Sequence, residues 1–337
     1  MKTVARVLLI AGAMLGLGLA QAQAQAGSTR IEIGYIPILA STPLFVMAAE
    51  GWAKDEGLDL NLTKFEAGTA AIQALAAGKI DAIYAGIGPV LVARGAGVGV
   101  SVVANSAVEE LALVPRGELA GFARKQASRD AIIAFADAKG RKVRIATQPP
   151  GSVPDTVLRH WLTKVAAIPA DKVELVSMGI EKTQQALLAN AIDAAMIREP
   201  SITILRDHDP DAAVLALGGE MFPDQPGTVV AFRDAFIKAN RDAVARLVRL
   251  QVKAVALIQA DSQRAAKDAY EFIGKGLLEL STLERAMVSP SSKFVADPHA
   301  IVEATRKMQA FQGELGIAGS AVPAEQGFDF SFYDGAR

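Results

Sequence analysis

The sequence predicts an α/β protein built as two lobes, and three observations carry that reading. Hydrophobic residues make up 51% of the 337-residue chain, enough for sizeable cores in a length that usually divides into two domains. Short apolar alternations are regularly followed by helical stretches, the order that yields parallel sheets covered on both faces. The two halves of this pattern also repeat. Ile31-Glu32-Ile33-Gly34-Tyr35-Ile36-Pro37 lies over Val143-Arg144-Ile145-Ala146-Thr147-Gln148-Pro149 at an offset of 112 residues, and the same offset lays Ala71–Ala82 over Thr183–Ala194 with seven of twelve pairs identical.

The elements follow in chain order. Lys2 and Arg6 precede an uncharged, mostly apolar run of fourteen residues from Val7 to Ala20, and overlapping A-x-A sites end at Ala26. This is the pattern of a secretory signal peptide over residues 1–26 and is too short to span a bilayer. Its removal takes away Lys2 and Arg6, so the net charge falls from −1 to −3, too mild to suggest nucleic acid or an anionic membrane as partner. With no cysteine in the chain, lipid attachment through cysteine, disulfides and thiolate metal sites are excluded.

In the first repeat, strand Ile31–Ile36 leads to a helix from Pro43 to Glu56. Ser41 or Thr42 can cap that helix and Gly57 can end it. Strand Leu58–Phe65, a helix from Ala70 to Ala77 and strand Asp81–Ala85 follow. The second repeat gives strand Lys142–Thr147, helix Val153–Val165, strand Val173–Ser177, helix Lys182–Asn190 and strand Ala194–Ile197. Val98–Ala104 and Leu111–Val114 are expected as further strands of the first lobe, and Val214–Leu217 as a strand of the second. Thr228–Phe232 should carry the chain back to the first lobe. Beyond Asp234 the pattern is helical: Phe236, Ala243, Leu247, Leu250, Ala254 and Leu257 form an apolar stripe, and a last helix spans Pro298–Glu314. The first lobe is thus expected over residues 27–116 and 228–337, the second over 117–227.

The chemistry-bearing residues point to binding. The three histidines, His160, His208 and His299, fit no two-histidine metal spacing. His160 reads as a partly buried helix residue, Asp207-His208-Asp209-Pro210 as a solvated polar turn, and Trp52 and Trp161 as core. No G-x-S-x-G elbow or P-loop occurs, and Gly95-Ala96-Gly97-Val98-Gly99 precedes a strand, the wrong order for a dinucleotide fingerprint. Neither a metal nor a cofactor is expected. In open parallel sheets ligands lie beyond the carboxyl ends of the strands, which places Ser41, Thr42, Gly68, Thr69, Gly86, Gly88, Gly151, Ser152, Arg198 and Glu199 at the cleft. Several of these loops open helices, whose free N–H groups attract carboxylate, sulfonate or phosphate. Each glycine could equally serve a tight turn, and each hydroxyl a cap. Arg198 could hold an anion, with Glu199 anchoring it or selecting an amine, or it could form a salt bridge tying strand to hinge.

Several stretches carry a family resemblance: Ile33–Pro37, Pro43–Trp52, Glu56–Leu60, Gly68–Asp81, Pro89–Gly95 and Asp193–Pro200. On these the chain, over roughly residues 30–260, resembles the nitrate/sulfonate/taurine-type solute-binding proteins of ABC transporters, a group that includes thiamine-precursor binders. The resemblance implies the two-lobed type II periplasmic-binding fold, a small-molecule ligand at the interlobe hinge, and a membrane permease and its ATPase as partners. Members often carry Trp before the Glu-Pro pair, whereas this chain has Arg198, a departure that favours an anionic ligand. The expectation is therefore an exported, periplasmic, monomeric binding protein and not an enzyme. A pyrimidine-synthase-like enzyme would need histidine on a cleft loop, where none is expected. A sensor chain would continue past Arg337 into a signalling segment.

Overall fold

Alternation sets the faces of each strand. Ile83 and Ala85 point into one apolar cluster, and Ala82 and Tyr84 into another on the opposite side of the same strand, as the two-residue period of a strand requires. The structure, a computed structural model, describes residues 28–209, 212–276, 278–317 and 322–337. The expected signal segment lies outside the described residues.

The first sheet has the order β2-β1-β3-β11-β4. Its strands are β1 (Thr29–Tyr35), β2 (Leu58–Lys64), β3 (Ala82–Gly86), β4 (Val100–Asn105) and β11 (Thr228–Arg233). The second has the order β10-β6-β9-β7-β8, formed by β6 (Ala112–Pro115), β7 (Val143–Thr147), β8 (Val173–Ser177), β9 (Ala194–Ile197) and β10 (Ala216–Leu217). Each sheet has a parallel triplet, β2-β1-β3 or β8-β7-β9, flanked by an antiparallel strand, β11 or β6. The internal repeat is therefore a repeat of folding units, and the fold is two-lobed α/β.

The strand expected over Leu111–Val114 in the first lobe belongs instead to the second sheet. Symmetry gives the reason: β6 and β11 are the strands on which the chain crosses between lobes, and each joins the sheet it enters. The outward crossing falls between Val108 and Ala112. A short sheet missed in the sequence, β5 (Ala107–Val108) with β12 (Lys293–Phe294), braces it. The two crossings touch, since Glu109 N–H donates to Gln225 O at 3.0 Å, and a Cβ on Gly227 would lie 2.5 Å from Ala107 O.

Local sequence breaks the helices. The expected Pro43–Glu56 helix is two, Thr42–Ala49 and Trp52–Asp55, divided at Gly51 with φ +75°. The apolar stripe from Phe236 runs over Asp234–Ala239 and Arg241–Ala260, divided at Asn240. Val153–His160 continues as a π-helical turn, Trp161–Val165, and a second π-helical turn, Tyr270–Gly274, follows helix Ser262–Ala269. Trp161 is buried as expected, while Trp52 is half-buried under the Lys253 ammonium, 3.6 Å from the ring centroid.

One apolar cluster is continuous through both lobes. It joins Ile83 and Val102 of the first sheet to Leu113 and Ile145 of the second, with Val90, Val157 and Met308 from helices between them. Met308 lies on helix Val302–Glu314, which rests on helix Ile87–Gly95 of the first lobe and Val153–His160 of the second. The Gln312 amide donates to Gly151 O and Thr156 Oγ1, and the Phe311 ring meets His160 edge-on. His160 is thus an interlobe contact as well as a partly buried helix residue.

Candidate functional site

Helices start where the parallel strands end, and those starts from both lobes converge. Gly86 precedes helix Ile87–Gly95, and Ser152 precedes helix Val153–His160. Lack of side chains lets the two meet: a Cβ on Gly88 would lie 2.7 Å from Gly151 O, and one on Gly86 would lie 2.7 Å from Val153 Cγ2. Gly151 itself needs its φ of +85°. Gly68 opens helix Gly68–Ala76 against the Pro89 ring, and Thr69, the next residue, is half-buried.

The hydroxyls differ in what they do. Ser152 Oγ accepts from Asp155 N–H as a helix cap. Ser41 Oγ donates to Ile36 O at 2.8 Å and holds the strand-to-helix turn. Thr42 is fully buried, and its Oγ1 has no hydrogen-bond partner. The helices beginning at Thr42, Gly68 and Ile87 have no side-chain cap; the Thr42 N–H already donates to Leu39 O and the Ile87 N–H to Gly227 O, and Pro43 and Pro89 have no N–H, so the N–H groups of Gly68, Thr69 and Gly88 carry the partial positive charge of these helix starts.

Arg198 and Glu199 are the charged members of the predicted set, and both are buried. Arg198 follows β9, is 6% exposed, and has Nε 2.7 Å from Oε1 of Glu110, itself 2% exposed. The N–H does not point along that contact, so both atoms retain unmet hydrogen-bonding capacity. Glu110 Oε2 accepts from Thr228 Oγ1, which ties the ion pair to both crossings. Burial lowers the Arg198 pKa, an effect that the Glu110 carboxylate opposes. Glu199 Oε2 accepts from Thr203 N–H, its carbonyl accepts from Leu39 N–H of the first lobe, and its peptide bond to Pro200 is cis. Burial raises its pKa, with Ser289 and Thr203 pulling the other way.

The opposite face of the cleft carries contacts the sequence did not reveal. Glu66, after β2, places its carbonyl and Oε2 on the first two N–H groups of helix Ile180–Leu188, at 3.3 and 3.2 Å. Lys64 pairs with Glu181 at 2.7 Å. Beside this latch a groove of about 890 Å³ runs between Pro37 and Ile38 of the first lobe, helices Ile180–Leu188 and Ser201–His208 of the second, and residues 270–282. His208, read as part of a solvated turn, ends its helix and lines this groove. Asp207 is held by Arg285 and Thr282. The loops Glu66–Thr69 and Met178–Lys182 were legible as cleft loops, but nothing local in the sequence paired them.

Among the described residues, no group of three or more His, Asp or Glu side chains could hold a metal, and no helix is long and apolar enough to cross a membrane.

Comparison with known proteins agrees with this architecture. A Brucella abortus protein named for a binding role is 28% identical over 260 residues, 76% of each chain. The bicarbonate-binding protein CmpA of Synechococcus elongatus is 25% identical over 231 residues, 65% of this chain and 51% of CmpA. The nitrate-binding protein NrtA from Synechocystis PCC 6803 superposes with a TM-score of 0.78 at 14% identity, covering 91% of this chain and 88% of NrtA. The alkanesulfonate-binding protein SsuA from Xanthomonas axonopodis superposes at 0.71 with 19% identity, covering 90% and 99%. At those identities the structures establish the shared fold. Residues 24–274 match the NMT1-like family, and with the paired sheets, crossing strands and facing helix starts in place, the chain belongs to that family.

Proposed function

We propose that this protein is the exported, periplasmic solute-capturing component of an ABC importer. It holds a small organic acid in the interlobe cleft and delivers it, as a monomer, to a membrane permease driven by an ATPase. The observation that carries the reading is the convergence of uncapped helix starts from a lobe joined to its partner by two adjacent crossings. A carboxylate or sulfonate suits such starts, because the N–H groups and the helix dipole both favour negative charge. Thr42, Thr69 and the N–H groups of Gly68, Thr69 and Gly88 are the contacts assigned to the acid, with Gly151 and Ser152 facing them from the second lobe. Arg198 contributes through Glu110: its charge is already balanced, so it shapes the floor of the cleft and leaves the acid to the helix starts. Glu199 fixes the adjoining loop. The function is capture and not catalysis.

Native mass spectrometry of freshly purified protein should find one co-purified small acid, and small-angle scattering should show a smaller radius of gyration with that acid than without it. An unchanged radius with a saturating, thermally stabilising acid would overturn capture by closure.

A further inference from the structure

Three charged side chains at the crossings line one small cavity. Glu110 arrives on the outward crossing, and Arg198 and Glu199 follow β9. Ser291, just before β12, and Leu39 of the first lobe close other sides. All five residues are buried, none more than 6% exposed. The cavity leaves about 10 Å³ for the centre of a water-sized sphere, about the room that a single water molecule needs. It is too small for a solute or a polyatomic anion, and Gly68, Thr69 and Gly88 do not line it.

Three buried atoms of these residues have no hydrogen-bond partner: Glu110 Oε1, Arg198 Nε and Glu199 Oε1. The other carboxylate oxygens are engaged, Glu110 Oε2 by the Thr228 hydroxyl and Glu199 Oε2 by the Thr203 N–H. Leaving a buried polar atom unmet is costly, and such atoms are normally met by protein or by ordered water. The chemistry of the three selects what can meet them. Two are carboxylate oxygens, which accept, and one is a guanidinium N–H, which donates. A metal cation or an ammonium ion suits the oxygens but cannot accept from the N–H. A halide accepts from the N–H but faces two carboxylates. Water donates twice and accepts once, which matches the set. Burial raises the pKa of Glu199, and a proton on Oε1 would turn that acceptor into a donor. Water then matches again, accepting twice and donating once.

We infer that Glu110, Arg198 and Glu199 together bind one ordered water molecule, which bridges the outward crossing to the second lobe. It supplies the bonds that the direct Glu110–Arg198 contact leaves unmade, because the Nε–H does not point along that contact. A bridging water is nearly as good as a direct hydrogen bond. It also reorients, so it keeps its partners through small rotations about the crossings that would break a bond between fixed atoms. The inference holds whatever solute the cleft takes.

A high-resolution crystal structure of the whole protein tests it. One peak should lie at about 2.5–3.2 Å from each of the three atoms. Crystals grown in rubidium chloride should give no anomalous signal at that peak. In solution, oxygen-17 relaxation dispersion counts long-lived waters. Its amplitude should fall by one water in Arg198→Met/Glu110→Gln, where the donor is lost and an apolar side chain takes the space. No peak in the cavity, a rubidium signal there, or equal dispersion amplitude in the parent and the folded double variant would overturn the assignment. If circular dichroism shows that the double variant misfolds, the two crystallographic results decide by themselves.

Discussion

Replacing Arg198 with alanine should be felt first in stability. The guanidinium and the Glu110 carboxylate are 6% and 2% exposed and 2.7 Å apart. Removing one partner leaves a buried carboxylate whose remaining contact is the Thr228 hydroxyl. Breaking a buried pair in this way costs about 3–5 kcal/mol. At a urea dependence of about 2–3 kcal/mol per molar, the unfolding midpoint should fall by about 1–2.5 M. The double variant Arg198→Met/Glu110→Gln removes both charges and should recover most of the loss, because a neutral, well-filled pocket is often no less stable than the pair. The cycle of Arg198→Met, Glu110→Gln and the double variant should therefore show a coupling of about 2 kcal/mol or more. The assay is urea unfolding followed by circular dichroism and by fluorescence of Trp52 and Trp161. A loss below about 1 kcal/mol for Arg198→Ala, with additive effects in the cycle, would refute the structural role. The same double variant tests binding on a folded background. Affinity for the co-purified acid within a few-fold of the parent is expected, and a drop of about 10- to 150-fold, the worth of a charged hydrogen bond, would return Arg198 to the ligand.

Three further outcomes follow from other contacts. Gly88→Ala should lower stability, because its Cβ would sit 2.7 Å from Gly151 O on the face where the lobes share their core; urea unfolding should give an earlier midpoint than the parent. Lys64→Ala/Glu66→Ala removes an exposed pair worth about 0–1 kcal/mol and a helix cap worth about 1 kcal/mol, so the acid should dissociate a few-fold to about tenfold faster in stopped-flow. Asp268 has its pKa raised to about 6, chiefly by burial and then by the Glu50 carboxylate, against the pull of Arg264. The folded state then holds this proton more tightly than the unfolded state, so the group's contribution to stability grows as pH falls from about 7 toward 4, and Asp268→Asn should flatten that part of the thermal-stability profile relative to the parent.

Much of the fold was legible because it is encoded locally and twice. The alternation in Ile31–Ile36 and Val143–Thr147 and the helix stop at Gly78 all act within a few residues. The allegiance of β6 was not legible, since Ala112–Pro115 is apolar enough to suit either sheet and only its partners Ala194–Ile197 decide. The site was legible as loops and not as contacts. Ser152 appeared correctly as a cap. The partner of Arg198 lies 88 residues earlier in the chain, at Glu110, and Glu66 reaches a helix 115 residues further on; neither pairing leaves a periodic or local trace. Tyr270 and Phe272 looked like ordinary members of a helical stretch because a π-helical turn has no signature in side-chain spacing.

The shared apolar cluster makes the protein a door with a fixed jamb. Parting the lobes on the face of Val157 and Met308 would wet a continuous core, at roughly 25 cal/mol for each Å² exposed, and would tear Gln312 from Gly151 and Thr156. Parting them on the other face loosens Lys64, Glu66 and Glu181, contacts made largely by exposed side chains. The swing is therefore one-sided, and the free edge of the door is the rim lined by Tyr270 and Leu188. On the proposed reading, solute inbound from solvent and outbound to the importer passes that edge, and a partner that grips both sides of it would control admission and release with the same hold.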